Sequence, residues 1–409
     1  MSFFPNTSRL RQNIQNLLAQ GIDSKLKFSL EPVGSETGVE EWKNAMKAVT
    51  RLPGGIPNYF RAKLWITLAD EYFSKMCIDW KEVQATCLSE KIQQDDTEID
   101  SQIIKDLHRT GWNGFNEEKK LKQVLLAYAR YNKEVGYCQG FNIIAALILQ
   151  VVDFKTDISL KVMIFVIEQV LPQGYFDHSL RALSVDMAVM KDLILQRLPK
   201  TIQHLEMLQS TSGNEYEPPL TNVFSMHWFL TLFATCLPRY CVYRIWDAIM
   251  LEGSEILLRT AIALWAKMSR VCDTYRKIIK TKTADEFYTL MEELCKQLTE
   301  MNEAEQDNLI LVSILQGHTY KYSFKPQYIC LLYSHKSFRF FSQCNKRLQF
   351  TRKKLEILST THYAPGCHLL LWRMYPFFSP IPIVEQLKHP QNMNSGQKLR
   401  KTNGSITEL

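Results

Sequence analysis

The sequence predicts an all-α protein, and three observations support this fold class. Apolar residues recur at helical spacing in one segment after another, prolines and glycines stand where these segments end, and no segment shows a comparably strong strand alternation. With 409 residues, of which 46% are hydrophobic, the chain can bury a large core in one to three domains. We therefore expect a multi-helix body.

The first two predicted helices are the clearest. Over residues 117–134, Leu121, Leu125 and Tyr128 fall near one face, and Gly136 ends the helix. The next helix, 141–152, is apolar on all sides, so we expect it near the centre of the body. It is too short for the roughly 20 residues that span a bilayer.

Proline fixes φ and lacks an amide donor, so it ends the next three predicted helices. These are 159–171 before Pro172, 180–198 before Pro199, and a helix capped by Thr221 or Asn222 that runs to Cys236 before Pro238. Three more helical segments complete the body at 240–250, 255–269 and 284–301.

The charge of the chain divides near residue 315. Residues 316–409 carry a net charge of +11 and residues 1–315 carry −4, which gives the total of +7. Aromatic and basic residues interleave in the C-terminal part, but no helical or strand period is sustained there. We expect a weakly ordered basic extension. The simpler interpretation is that it has no dedicated ligand, and peripheral contact with anionic membrane stays open.

Cysteine usage and the N-terminus point to a cytoplasmic protein. The ten cysteines include no CxxC pair, so neither a zinc ribbon nor a disulfide scaffold is expected. Residues 1–20 lack the continuous apolar core of a signal peptide. Nucleic acid is not an expected partner, because the acidic body contains no nucleic-acid motif.

Two segments place an arginine and a glutamine in apolar surroundings. Arg109 lies in the segment 103–110, and Gln139 lies in the segment 136–142. An arginine can neutralise charge on a transferring phosphoryl group, and a glutamine can orient an attacking water. The pair could complete a nucleotide hydrolase that lacks one or both groups.

Three motifs in order resemble the TBC domain of Rab GTPase-activating proteins. They are Gly55-Ile56-Pro57 with Arg61-Ala62-Lys63-Leu64-Trp65, then Ile103-x-x-Asp106-x-x-Arg109-Thr110, then Gly136-Tyr137-Cys138-Gln139-Gly140. The resemblance continues through 228–233 and 244–247, and the form of the second motif is similar to one subgroup of the family. It implies a multi-helix TBC domain at 50–315, between an N-terminal flanking segment, 1–49, and the basic extension, 316–409.

The resemblance also implies a mechanism. Arg109 would be an arginine finger that stabilises charge on the γ-phosphoryl group of a bound Rab, and Gln139 would be a glutamine finger that positions the hydrolytic water. The partner would be a Rab-type small GTPase in its GTP state. Because that Rab would hold GTP and Mg²⁺, the chain would need no cofactor or metal of its own and would act as an activator, not as an independent enzyme.

Further residues are predicted to support the site or to face the Rab. They are Arg61, Trp65, Asp106, Thr110, Tyr137, Gly140 and Asn142. Asp106 can brace the turn before Arg109. Arg61 and Trp65 share a helical face, where they can stack and shape a groove or simply pack. Gly140 would let a partner approach closely, whereas the pair Trp246-Asp247 is expected to be structural.

The two fingers must also lie close together. A straight helix over 117–134 spans about 27 Å, so the chain has to double back between Arg109 and Gln139. We expect an extended segment at 110–116 and finger side chains within about 15 Å of each other, since both must serve one phosphoryl group.

Two alternatives to an activator are considered. A TBC scaffold could bind a Rab without accelerating hydrolysis, although the presence of both Arg109 and Gln139 disfavours it. A cysteine hydrolase could use Cys138 with His108 or His178, but no oxyanion motif or third orienting group accompanies them.

Overall fold

The computed structural model describes most of the chain between residues 31 and 315. The described residues are 31–32, 36–52, 54–91, 93, 95–107, 115–211, 220–270 and 277–315. Within them every regular element is helical and no strand occurs, which confirms the all-α prediction. The predicted extension at 316–409 lies outside the described residues.

The α-helices of this part lie between residues 36 and 315. In chain order they are α1 Glu36–Thr50, α2 Asn58–Lys75, α3 Trp80–Cys87, α4 Asp96–Leu107, α5 Phe115–Tyr131, α6 Phe141–Val151, α7 Thr156–Phe165, α8 Arg181–Arg197, α9 Pro199–Thr211, α10 Leu220–Leu230, α11 Arg239–Glu252, α12 Glu255–Arg270, α13 Ala284–Thr299 and α14 Glu303–Leu315. A π-helical turn, Val166–Val170, continues α7.

Helix α6 lies at the centre, as its uniformly apolar sequence predicts. Every residue from Phe141 to Leu149 is buried, and the helix packs against α5 and α7. Outside this centre, α11 packs against α1, α2, α12 and α14. Helix α1 therefore belongs to the folded body, although it lies before the predicted domain start at residue 50, a boundary that remains a prediction.

Helix ends are fixed by side-chain caps as well as by proline. The carboxylate of Asp79 accepts a hydrogen bond from the amide of Lys81 at the start of α3. At α13, the Thr283 hydroxyl accepts from the amide of Glu286, and the Glu286 carboxylate accepts from the amide of Lys282. Such caps satisfy amides that the first helical turn leaves without a partner.

Several helix boundaries differ from the predictions. Helix α5 begins at Phe115 and ends at Tyr131, so residues 115–116 are helical and not extended. Pro199 ends α8, but it is also the first residue of α9, a position that proline tolerates because the first amide of a helix needs no partner. Six of these helices were not assigned from the sequence pattern: α1, α2, α3, α4, α9 and α14.

The largest difference is at the end of α10. The predicted helix runs to Cys236, but α10 ends at Leu230, and a turn covers residues 231–236. Leu232 and Phe233 both adopt positive φ, 48° and 64°. The start differs as well: the amide of Leu220 donates to the side-chain oxygen of Gln209, 2.9 Å away, in place of the predicted Thr221 or Asn222 cap.

Helices α4 and α5 are antiparallel and are tied together by two ion pairs. Arg130, near the end of α5, binds both carboxylate oxygens of Asp96 at the start of α4 and also donates to the carbonyls of Cys87, Ser89 and Lys91. Lys122 binds Asp100 at 2.8 Å nearer the surface. The buried pair therefore fixes the position of α4 on α5.

No described helix is both long enough and apolar enough to cross a membrane. The described cysteines are all free thiols.

Replacing Arg130 with Met should reduce the free energy of unfolding by about 3–5 kcal/mol, because it leaves Asp96 and three carbonyls without their donor. The matched control is Lys122→Met, which breaks the other α4–α5 ion pair, where the side chains are 36% and 30% exposed. That change should cost about 0–1 kcal/mol. Urea unfolding of both variants measures the difference, and equal losses would contradict a special role for Arg130.

The same pair predicts a pH dependence. The hydrogen bond from Arg130 lowers the pKa of Asp96 below its ordinary value. The carboxylate therefore stabilises the fold fully above the unfolded pKa of about 3.9, and this contribution is lost as pH falls through the lower folded pKa. The difference in unfolding free energy between the wild type and Asp96→Asn should shrink as the pH is lowered from 7 towards 3.

Candidate functional site

The two finger motifs meet at Asp106, in the last turn of α4. The hydroxyl of Tyr137 donates to the Asp106 carboxylate over 3.0 Å, and the side-chain amide of Asn142 donates to the Asp106 carbonyl over 3.2 Å. Asp106 is 8% exposed, so it is a buried acid and not one on the surface. The segment that leads into Arg109 is thereby hydrogen-bonded to one residue before Gln139 and one residue after it.

Arg109 and Thr110 themselves lie outside the described residues, as do His108 and the glycines at 111 and 114. The predicted distance between the Arg109 and Gln139 side chains therefore stays a prediction. Among the described residues, Asp106 lies three positions before Arg109 and contacts the motif that contains Gln139.

The segment 132–140, which we call the glutamine loop, reverses the chain after α5. The amide of Gly136 donates to the carbonyl of Asn132, and the amide of Val135 donates to the Asn132 side chain. Gly136 has a φ of +60°, which costs glycine little. The loop then folds back over α5, so that the ring of Phe141 meets the edge of Tyr128 with ring centroids 5.3 Å apart.

A carboxylate from the π turn holds the start of this loop. Glu168 accepts hydrogen bonds from the Tyr128 hydroxyl at 3.0 Å and from the Asn132 side chain at 2.8 Å. The amide of Leu171 donates to the carbonyl of Val166, the i to i−5 pattern of a π turn. Asn132 is thus fixed on one side by Glu168 and binds the backbone of the loop on the other.

Gln139 lies at the tip of the loop and is half-buried. The amide of Phe141 donates to the carbonyl of Cys138 and closes the turn around it. Within the part of the chain that the structure describes, the side chain of Gln139 makes no hydrogen bond, in contrast to its neighbours Tyr137 and Asn142. Its backbone is therefore held, while its amide binds none of the described residues.

Gly140 has a different role from the predicted one. It was expected to let a partner approach, but it is buried and its close neighbour belongs to this chain. A Cβ at Gly140 would lie 2.9 Å from the carbonyl oxygen of Leu230, the last residue of α10, and the φ of +98° is unfavourable for other residues. Glycine is required because the glutamine loop packs directly on the end of α10.

The first motif forms a buried cluster around Asp247. Arg61 donates from Nε to the Asp247 carboxylate at 3.0 Å and from Nη2 to the carbonyl of Ile56, while the indole N–H of Trp65 donates to Asp247 at 2.9 Å. Burial raises the pKa of Asp247 to about 6, and the Arg61 charge opposes that rise. The carboxyl is therefore largely ionised at neutral pH.

This cluster agrees with the packing alternative for Arg61 and Trp65 and excludes the groove and the mutual stacking. Their exposed fractions are 4% and 0%, so neither side chain can line a groove that faces a Rab. The guanidinium of Arg61 lies over the ring of Tyr243, 4.7 Å from its centroid, and not over Trp65. Asp106, Gly140 and Asn142 are buried too, and they likewise support the site without facing a partner.

The surroundings of Cys138 disfavour a cysteine hydrolase. Burial, with the nearby carboxylates of Asp106 and Asp177, raises the pKa of the Cys138 thiol to about 12. A thiol that stays protonated at neutral pH is a poor nucleophile. In addition, the described residues contain no group of three side chains that could hold a metal ion.

Glu168, Asn132 and Leu230 complete the site, but they were not predicted from the sequence. Glu168 lies inside a segment with an ordinary helical pattern, which gives no sign of a π turn. Leu230 acts through its backbone carbonyl, and a carbonyl leaves no signal in the sequence. Asn132, next to the end of α5, is the one residue whose type could have indicated a turn.

Residues 58–270 match the family described as the Rab-GTPase-TBC domain. The chain belongs to this family. Among its relatives, TBC1 domain family member 30 of Mus musculus is 48% identical over 313 residues, which cover 74% of this chain and 40% of the relative. The Homo sapiens protein of the same name is 49% identical over 71% of this chain and 32% of the relative. The chain thus spans about a third to two-fifths of the length of these relatives, and the predicted subgroup is confirmed.

Two solved structures share the fold. The TBC domain of a Chlamydomonas flagellar RabGAP superposes with a TM-score of 0.53 at 20% identity, covering 75% of this chain and 93% of that one. The Ypt/Rab-GAP domain of Gyp1p also gives 0.53, at 14% identity, covering 75% and 99%. The predicted TBC fold is confirmed.

The contact between Tyr137 and Asp106 can be tested as a coupling energy. Asp106→Ala and Tyr137→Phe, measured singly and together by urea unfolding, should be non-additive by about 0.5–3 kcal/mol, since the two side chains share one hydrogen bond. Tyr131→Phe is the matched control, because its hydroxyl makes no hydrogen bond to any described residue. Additive losses for the Asp106 and Tyr137 pair would contradict the contact.

Proposed function

We propose that this chain activates GTP hydrolysis by a Rab-family small GTPase, with Arg109 and Gln139 acting in trans on the GTP of the partner. The observation that carries the proposal is the junction at Asp106, where residues on both sides of Gln139 are hydrogen-bonded to the segment that leads into Arg109. Family membership supports the same activity.

The held backbone of the glutamine loop suits the role of Gln139. A group that orients water lowers the barrier only if it is already in position when the Rab binds, because ordering it then would consume binding energy. Asn132, Gly136 and Gly140 fix the loop through backbone contacts, so the side chain of Gln139 projects from a prearranged turn. It can direct the attacking water in place of a glutamine of the GTPase.

Arg109 would supply the second contribution. An arginine finger stabilises the negative charge that develops on the γ-phosphoryl oxygens, and such a finger is worth about 10³ to 10⁵ in rate, or about 4 to 7 kcal/mol of barrier. The chain has no Walker A sequence, so the Rab would hold GTP and Mg²⁺. The activity would be cytoplasmic, and hydrolysis would occur in the partner.

GTP hydrolysis across a panel of GTP-loaded Rab proteins tests the proposal. Wild type should accelerate at least one Rab, and Arg109→Ala or Gln139→Ala should each lower the maximal rate on that Rab by about 10² or more. Gln139→Asn keeps the amide but shortens the side chain by one methylene, so it should also be impaired. Gln196→Ala, an exposed glutamine on α8, is the matched control and should behave like wild type.

Two outcomes would count against the mechanism. Acceleration that persists unchanged in Arg109→Ala would exclude the arginine finger. Binding to a GTP-state Rab without acceleration of any member of the panel would favour the second candidate, a TBC scaffold.

The basic extension supports a separate proposal, peripheral contact with anionic membrane. Its net charge of +11 and its interleaved aromatic residues suit a negatively charged membrane surface. Nucleic acid is not proposed as a partner. Removing residues 316–409 should leave the rate on Rab in solution unchanged and should reduce co-sedimentation with vesicles that contain phosphatidylserine. Unchanged sedimentation would contradict it.

A further inference from the structure

The turn after α10, residues 231–236, carries unusual backbone strain beside the glutamine loop. Leu232 and Phe233 adopt positive φ in succession, although both have side chains that disfavour this region. Such residues cost about 1–3 kcal/mol each and persist only where surrounding contacts over-determine them. The contacts that hold this turn therefore also affect the residues that pack against it.

One of these contacts comes from a buried indole on another helix. The N–H of Trp246 on α11 donates to the carbonyl of Leu232 over 2.9 Å, and Trp246 is 1% exposed. The amide of Phe233 also donates to the carbonyl of Trp228 at 2.7 Å. Among the hydrogen bonds between described residues, the one from Trp246 joins the strained turn to a different helix.

Trp246 is itself fixed by the Asp247 cluster. Its ring stacks on that of Trp65, with centroids 5.7 Å apart and an angle of 25° between the planes. Trp65 is held through its N–H by Asp247, which also binds Arg61. The first sequence motif is thus connected to the turn by one ring stack and one hydrogen bond.

The other side of the turn touches the glutamine loop. The carbonyl of Leu230, immediately before the turn, lies so close to Gly140 that a Cβ there would meet it at 2.9 Å. Gly140 follows Gln139 directly. A shift of the α10 end would therefore move the backbone on which the Gln139 side chain depends.

We infer that Trp246 is a positioning residue for Gln139: its indole N–H fixes the strained turn after α10, and the turn holds Gly140 and the glutamine loop in place. The inference rests on the proposed function, because the position of Gln139 matters only for GTP hydrolysis. It gives the buried first motif a role in the rate and not only in stability.

Trp246→Phe tests the inference on the Rab that wild type accelerates most. The change removes the N–H donor and keeps an aromatic ring against Trp65. The maximal rate should fall about 10-fold, because misplacing a reacting group by about 1 Å costs up to about 100-fold, while the KM for the GTP-loaded Rab should change less than twofold. Affinity for the same Rab carrying GDP and aluminium fluoride should fall in parallel with the rate.

Trp265→Phe is the matched control. Trp265 is also fully buried, and its N–H also donates to α10, but the acceptor is the Ser225 hydroxyl within the helix and not the strained turn. Both variants should lose similar thermal stability, whereas only Trp246→Phe should lower the maximal rate. If Trp246→Phe does not fold, benzothienylalanine at position 246 removes the N–H and preserves the ring shape.

A combined variant separates positioning of Gln139 from general damage. In a Gln139→Ala background, Trp246→Phe should produce no further loss of rate, because the group it positions is gone. An undiminished rate for the Trp246 variants, or a full additional loss in the Gln139→Ala background, would overturn the inference and leave the proposed function intact. A wild-type chain that accelerates no Rab would overturn both.

Discussion

The carboxylate of Asp247 is the interaction on which the arrangement of this domain depends. It is 1% exposed and receives hydrogen bonds from two side chains of α2, so the charge is compensated where water cannot reach it. A buried carboxylate without donors would be strongly destabilising, and this requirement fixes α2 against α11 in one geometry. Because α11 also packs against α1, α12 and α14, the contact at Asp247 fixes α2 relative to the helices that surround α11.

The candidate site is built on a different principle. Three of the contacts around Gln139 are made to backbone groups: Asn142 binds the carbonyl of Asp106, Asn132 binds the amide of Val135, and Gly140 rests against the carbonyl of Leu230. Backbone groups cannot change rotamer, so they fix a loop more rigidly than flexible side chains do. The side chain of Gln139 is left as the part that can adapt to a partner.

The sequence predicted the fold class, most helices of the body and the central position of α6, because apolar periodicity and proline stops act locally. It also predicted that the two motifs would be associated, although Arg109 lies outside the described residues. Three features could not be predicted. The turn that ends α10 accepts a bond from Trp246 on the next helix, and no glycine or asparagine marks Leu232 or Phe233.

The other two features that the sequence did not predict have the same physical origin. The burial of Arg61 and Trp65 depends on Asp247, which is 186 and 182 residues away in sequence. The role of Gly140 depends on a carbonyl of another helix, and a glycine in a sequence does not reveal which atom approaches it. The pattern of one segment reports its own conformation, but the partner that it meets is set by tertiary packing.

The π turn at Val166–Val170 makes the glutamine loop sensitive to a change in chain length outside the loop. A π turn contains one residue more than the α-helical register requires, and each residue of an α-helix turns the chain by about 100°. Loss of one residue before Glu168 in this turn would restore a regular helix and rotate Glu168 by about 100°, away from Asn132. A single deletion here would thus release the start of the glutamine loop while every residue of that loop stayed the same.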